Sequence, residues 1–259
     1  MRHFFIETEP GSLLAPGDTV TLDKEESHHL GTVLRGGRQP DVVLTDGRGN
    51  RFQARVVDRN RRQSTLEIQS VHRDEDEFSP PLLVLALAVI KVKRFEWALE
   101  KAVELGVHRI VPLLTEHGVL ETGGNKFNRW RTIMRSAIKQ CGRSFLPELC
   151  EPVKLQDFLN RRPAGLMVFG AIPEEIGVKG KPISLLEMAA QIPADIPEHL
   201  TALIGPEGGW AEAEVEHFLK LGLQPISLGP HILRAETAAA ACLAGLQGVR
   251  QTWSGQNRK

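Results

Sequence analysis

Leu82-Leu83-Val84-Leu85-Ala86-Leu87-Ala88-Val89-Ile90 is an unbroken apolar run. It does not alternate, so neither face of the segment is meant for water. It falls well short of the ~18 residues that would suggest a membrane span. A short continuous run of this kind is expected of a strand buried on both faces, as in a parallel sheet covered by helices. The next segment, Arg94–Leu105, places Phe95, Leu99, Ala102 and Val103 at helical spacing. Gly106 follows, the residue type that most easily closes a helix in the left-handed conformation. Downstream, strands are expected at Arg109–Leu114, Gly165–Gly170, Thr201–Gly205 and Pro225–Gly229. Helices are expected at Asn128–Cys141, Leu155–Leu159, Leu185–Gln191, Ala211–Leu221 and Glu236–Arg250, with a polar, frayed tail from Ser254. Strand–helix alternation predicts an α/β domain with a mostly parallel sheet.

Upstream of the run the pattern changes. Phe4–Ile6, Thr19–Leu22, Val42–Leu44, Phe52–Val57 and Ser64–Ile68 read as short strands separated by turn-forming residues, with one helix near Glu25–Leu34. That spacing predicts a small β-barrel or sandwich. His72–Pro81 is charged and ends in Ser-Pro-Pro, as a linker does. The chain of 259 residues therefore divides into an N-terminal β-domain, 1–72, and an α/β domain, 80–253.

With 41 % hydrophobic and 25 % charged residues, disorder and collagen-like repeats are excluded. The three cysteines, Cys141, Cys150 and Cys242, are odd in number and scattered. They offer neither a complete disulfide framework nor a Cys-x-x-Cys metal spacing. Met1-Arg2-His3-Phe4-Phe5 is followed by Glu7 and Glu9, so no signal-peptide core is visible. A cytoplasmic protein with reduced thiols is expected, without a membrane association.

The 32 basic and 32 acidic residues balance, but they are not evenly spread. Residues 35–62 hold eight arginines against three aspartates, a local excess of 8 − 3 = +5. Residues 126–146 hold Lys126, Arg129, Arg131, Arg135, Lys139 and Arg143 with no acid. Arg131, Arg135 and Lys139 are four apart and form one stripe on a helix. Such clusters attract phosphate backbones, unless acids from another segment pair with them.

Ligands of open α/β sheets sit beyond the carboxyl ends of strands. Three loops leave strands in that way: the one after Met167-Val168-Phe169-Gly170, the glycine-rich Ile204–Trp210, and Leu228–Ala238. The second permits close backbone approach, although it is neither Gly-x-Gly-x-x-Gly nor a P-loop. The third sets the apolar Ile232 and Leu233 beside Arg234 and Glu236, an odd composition for a simple turn.

These segments resemble one family nearly end to end. Arg2-His3-Phe4-Phe5, His28-His29-Leu30 with Val33-Leu34-Arg35, Glu96 through Lys101 to Glu104-Leu105-Gly106-Val107, and Gln140-Cys141-Gly142-Arg143-Ser144 carry the likeness. So do Ile204-Gly205-Pro206-Glu207-Gly208-Gly209 and Leu228-Gly229-Pro230-His231-Ile232-Leu233-Arg234-Ala235-Glu236-Thr237-Ala238, although His231 stands where the family usually has Arg. The chain is similar to the RsmE-type SPOUT methyltransferases, which methylate N3 of a uridine in 16S small-subunit rRNA. The resemblance implies a PUA-like RNA-binding barrel, a SPOUT domain with a deep trefoil knot, and a homodimer.

It further implies that S-adenosyl-L-methionine lies bent in the knot. Val168, Phe169 and Gly170 would hold it from the first loop. Ile204, Gly205, Pro206, Glu207, Gly208 and Gly209 would do so from the second. Leu228, Gly229, Ile232, Leu233, Arg234, Thr237 and Ala238 would do so from the third. Uridine N3 must lose its proton to become a nucleophile. Arg234 is the candidate to orient the base or stabilise its negative charge, the other reading being a salt bridge to Glu207 or Glu236. Glu207 or Glu236 either accepts the proton or holds the loop. Arg2, His3, His28, Arg35, Lys91, Arg94, Arg135, Lys139 and Arg143 are the expected RNA contacts. His28 and His29 lack a third ligand nearby, so no metal is expected. The assembled small subunit is the expected substrate.

Three rival readings remain: a non-catalytic ribosome-assembly factor, a SPOUT enzyme with another RNA target, and a dinucleotide-dependent enzyme. Both glycine-containing cofactor motifs are intact, against the first. The barrel start and Leu233–Ala238 speak against the second. The third lacks its glycine fingerprint.

Overall fold

The computed structural model describes residues 3–9, 13–33, 41–118, 126–171, 182–191, 193 and 195–256. They group into two compact units, Met1–Phe78 with Arg135–Leu146, and Ser79–Met134 with Pro147–Lys259.

The first unit is built on β1 (His3–Phe5), β2 (Thr19–Thr21), β3 (Val42–Thr45), β4 (Asn50–Asp58) and β5 (Thr65–Arg73). They form one sheet in the order β1-β3-β4-β5-β2, antiparallel except for the β1–β3 pair. Alternation decides which face is buried. Along β4, Phe52, Ala54 and Val56 point inward while Gln53, Arg55 and Val57 stay in water. The inward set meets Phe4, Leu44, Leu66 and Ile68. Leu30 of α1 (Lys24–Val33) closes the core. Asp23 Oδ1 accepts the Glu26 backbone N–H at 2.8 Å, satisfying a first-turn donor of that helix.

Residues 135–146 complete this unit although they lie far along the chain. Thr45 Oγ1 donates to the Ser144 carbonyl at 2.9 Å, and Gly49 N–H donates to it at 3.1 Å. Leu146 N–H donates to the Gly47 carbonyl at 2.8 Å. Gly47 and Gly49 have φ of +71° and +95°, conformations that side chains disfavour, so this turn needs its glycines.

The second unit runs β6 (Leu82–Ala88), α2 (Val92–Glu104), β7 (Arg109–Leu114) and α3 (Lys126–Cys141, grouped with the first unit from Arg135). It continues with β8 (Glu148–Leu149), β9 (Val153–Lys154), α4 (Leu155–Asn160), β10 (Gly165–Gly170), β11 (Ile183–Ser184) and α5 (Leu185–Ala190). The last elements are β12 (His199–Ile204), α6 (Glu212–Lys220), β13 (Gln224–Ser227) and α7 (Ala235–Gln256). The strand order is β11-β13-β10-β12-β6-β7-β8, with β9 also beside β7, and every pairing among the described residues is parallel.

β6 is interior to this sheet, and Leu83 through Ile90 are all buried. That is the environment its unbroken apolar run requires. α2 buries Phe95, Ala98, Leu99, Ala102 and Val103, and Gly106 leaves it at φ +83°. α7 is longer than the periodicity suggests. Trp253 is buried and its Nε1 donates to the Ala189 carbonyl at 3.3 Å. Arg250 donates to the carbonyls of Pro81 and Ser79 at 2.9 and 2.8 Å. These contacts hold in place an end that looks frayed in sequence. Among the described residues no helix is long and apolar enough to cross a membrane.

Candidate active site

β12, β10 and β13 are adjacent and parallel, so their carboxyl ends open on one side. Gly170 and Ala171 at the end of β10, with the loops leaving Ile204 and Ser227, line a cleft of about 570 Å³; the rest of the first loop lies outside the described residues. This is the place an open α/β sheet offers a ligand.

Most of the expected cofactor residues line it: Gly170; Ile204, Gly205, Pro206, Glu207 and Gly209; Leu228, Gly229, Ile232, Leu233 and Ala238. Five do not. Val168 and Phe169 are buried in the sheet at 1 % and 0 % exposure, so they support the wall from behind. Gly208 faces away, where an added Cβ would lie 3.0 Å from the His117 Cβ. Arg234 is exposed at the start of α7, where its carbonyl accepts the Ala238 N–H at 2.8 Å. Thr237 is also exposed.

Other lining residues were not among the expected cofactor contacts: Ala171, Trp210, Pro230, His231 and Ala235, which stand within the expected loops, and Ile226, which does not. Trp210 matters most. Its Nε1 donates to the Gly170 carbonyl at 3.0 Å, joining the first loop to the second. Its ring packs against Gly205, where a Cβ would approach to 3.0 Å. Glycine at 205 is thus required by the indole. His117 Nδ1 lies 3.3 Å from the Gly209 carbonyl and braces the same loop from outside. A Trp directly after Gly-Gly was a usable signal; His117 left none.

The lining suits a flat apolar group with a charged appendage. Ile232 stands 76 % exposed. At Gly229, φ is +131° and nothing lies within 4 Å of where a Cβ would be. An apolar side chain left in water beside an open glycine is a surface that a planar ring would cover. Among the described residues no group of three His, Cys, Asp or Glu side chains is placed to hold a metal ion.

The charged residues arrange themselves differently from expectation. Arg94, near the start of α2, is the cation between the two loops. Its Nη1 donates to Glu207 Oε1 at 2.8 Å, and its Nε lies 3.7 Å from Glu236 Oε1. Glu236 Oε2 is buried and has no hydrogen-bond partner among the described residues. Arg234, expected to orient the base or to pair with these acids, makes no ion pair or hydrogen bond with its side chain among the described residues. One guanidinium thus links the second and third loops, and a second one at the rim is left free.

The expected RNA contacts divide sharply. Arg2 and Arg35 lie outside the described residues. Lys91 and His28 are exposed. His3 is half-buried; burial, and then the nearby Arg51 guanidinium, lower its pKa from 6.5. Arg94 is committed to the two carboxylates. Of the stripe on α3, Arg135 and Lys139 meet acids remote in sequence, while Arg131 lies over the Phe127 ring, 4.6 Å from its centroid. Arg135 pairs with Glu7 at 2.5 Å, and its guanidinium lies 4.8 Å from the Phe5 ring centroid. Lys139 pairs with the buried Glu26. Arg143 is 8 % exposed and donates to Glu77 at 2.6 Å. Burial lowers the Arg143 pKa from its ordinary value, and Glu77 opposes the shift.

Comparison with known proteins agrees with this geometry. Residues 78–247 match the RNA methyltransferase domain family, and residues 22–69 match the RNA methyltransferase PUA domain. The ribosomal RNA small subunit methyltransferase E of Synechocystis is 30 % identical over 236 residues, 90 % of this chain and 74 % of that protein. The Legionella pneumophila methyltransferase Lpg2936, solved in complex with bound SAM, superposes with a TM-score of 0.80 at 31 % identity, covering 95 % of this chain and 96 % of that one. The ribosomal RNA small subunit methyltransferase E of Neisseria gonorrhoeae, bound to S-adenosyl methionine, gives 0.80 at 27 % identity over 96 % and 98 % of the two chains. A family match over most of the chain and a relative covered for three quarters of its length lead to one assignment: the chain belongs to the ribosomal RNA small subunit methyltransferase E family.

Proposed function

We propose that this protein transfers a methyl group from S-adenosyl-L-methionine to N3 of a specific uridine in 16S rRNA, on the assembled small subunit in the cytoplasm, as a homodimer. The observation that carries the reading is the cleft at the carboxyl ends of β10, β12 and β13 with Arg94 linking Glu207 to Glu236. The trefoil knot belongs to the same proposal. It is supported by β13, which inserts between β10 and β11, two strands that precede it in the chain.

The bound cofactor supplies an electrophilic methyl on a sulfonium. The residues of the chain then have separate tasks. Ile232 and Leu233 cover the adenine face, and Gly229 leaves room for it. Glu207 lines the cleft and accepts the N3 proton; Glu236 does not line it and holds the third loop through Arg94. Arg234, free at the rim, offsets the negative charge that develops on the uracil carbonyls. Trp210 keeps the first two loops in register so that N3 meets the methyl in line.

The test is nucleoside mass spectrometry after incubating the protein, S-adenosylmethionine and small subunits lacking the modification. New 3-methyluridine is the expected product. A different methylated nucleoside would overturn the target, and no methylation with cofactor bound would overturn the activity. Replacing Glu207 by Gln should lower kcat about a hundredfold, whereas Glu236→Gln should lower it less.

A further inference from the structure

The first unit carries a second concave surface, and its chemistry is that of a phosphate grip. Two adjoining clefts, of about 510 and 500 Å³, share His28 and Arg61. They lie between α1 and the turn that joins β4 to β5. The first is completed by Arg59 and Thr32, the second by Lys24 and Arg62. Glu25 is the one acid lining either cleft among the described residues.

The surface is prebuilt. Arg59 Nη2 donates to the Gly31 carbonyl at 2.8 Å, tying the turn to the helix. Ser64 Oγ donates to the Asn60 carbonyl at 2.7 Å, and Arg62 N–H donates to Asn60 Oδ1 at 2.9 Å. Ser64 N–H in turn donates to Ser27 Oγ of α1 at 2.9 Å. The backbone between Asn60 and Ser64 is thus fastened at both ends, while the Arg61 and Arg62 side chains project into water. Neither has a carboxylate partner among the described residues. Every cation on the α3 side of the same unit has one.

Unpaired guanidinium groups lining a hollow concentrate positive potential and match phosphate oxygens two at a time. Among the described residues no aromatic ring other than the His28 imidazole lines either cleft, so these clefts offer successive bases no stacking platform. The ligand is therefore backbone rather than base.

We infer that Arg61 and Arg62, with Lys24 and His28, grip adjacent phosphates of the substrate RNA outside the target nucleotide. This rests on the reading of the chain as an RNA methyltransferase. It replaces the α3 stripe as the RNA-backbone contact of this unit. The grip gives affinity without sequence preference.

The full-length protein carrying Arg61→Gln with Arg62→Gln tests it. Binding to unmodified 16S rRNA is titrated between about 50 and 200 mM salt. Losing two phosphate contacts should flatten the slope of log Kd against log salt by about 1.4, and KM for the RNA should rise about tenfold, more than kcat falls. Arg135→Gln with Lys139→Gln should leave the slope as it is. An unchanged slope in the Arg61/Arg62 variant, or a flattened one in the Arg135/Lys139 variant alone, overturns the inference. If the double replacement flattens the slope but the wild type transfers no methyl, the grip stands and the activity falls. If the wild type methylates but the double replacement leaves the slope unmoved, the grip falls and the activity stands. Circular dichroism of the variant confirms that the turn has not unfolded.

Discussion

The turn between β4 and β5 and the second half of α3 carry cations at similar density, and they use them in opposite ways. On α3 and just beyond its end, Arg135, Lys139 and Arg143 each meet a carboxylate, from Glu7, Glu26 and Glu77. At the turn, Arg61 and Arg62 meet none among the described residues. The first group ties residues 135–146 into a unit otherwise made of the first 78 residues. The second is left for solvent or a polyanion. A cation is worth something to a ligand only when its own fold has not already neutralised it. Arg94 extends the lesson to the other unit, where a cation expected on RNA is consumed by Glu207 and Glu236.

The contrast can be broken most forcefully at Arg143. Removing it takes away the guanidinium that donates to Glu77, so Arg143→Ala should destabilise the protein by about 3 kcal/mol, as breaking buried pairs does. Urea unfolding followed by circular dichroism measures this. A loss under about 1 kcal/mol would return Arg143 to the pool of free cations. At Arg94 the expected loss is catalytic. Arg94→Ala should lower kcat/KM about a hundredfold, and Arg94→Lys should recover only part of it, because an ammonium lacks the planar fork that sets Nη1 on Glu207 and Nε toward Glu236. An unchanged salt slope of RNA binding in the same variant would confirm that Arg94 serves the loops and not the phosphates.

Smaller effects sharpen the picture. Arg135 and Glu7 are both well exposed, so Arg135→Ala should cost about 1 kcal/mol or less. The Arg61/Arg62 double replacement should change stability by no more than about 0.5 kcal/mol while weakening RNA binding. A larger stability loss would make the turn structural. His3 gives the smallest signal. Its lowered pKa means that the unfolded chain takes up a proton near pH 6.5 when the folded one does not. Its contribution is thus present above pH 6.5 and lost as pH falls through it. Comparing wild type with His3→Asn by urea unfolding above and below that pH should show the difference only on the acid side.

Much of the architecture was readable along the chain. The Leu82–Ile90 run meant a doubly covered strand, and Gly106 ended α2 as expected. Most residues of the three loops proved to line one cleft. What escaped the reading depends on contacts distant in sequence. Trp210 belongs to the site because its indole reaches Gly170, forty residues earlier. His117 belongs to it because the turn after β7 meets the Gly208–Gly209 backbone. Val168 and Phe169 stand in the right segment, but side chains within a covered sheet face its core.

The parallel α/β domain, the loops that line the cleft and the family could be read along the chain. Periodicity, glycine placement and motif order are local properties, and each survives folding unchanged. Folding in three dimensions sets which cations remote acids neutralise, and it brings residues 135–146 into the N-terminal unit. A charge acts through distance in space, and Glu77 is 66 residues from Arg143 along the chain yet 2.6 Å from it when folded.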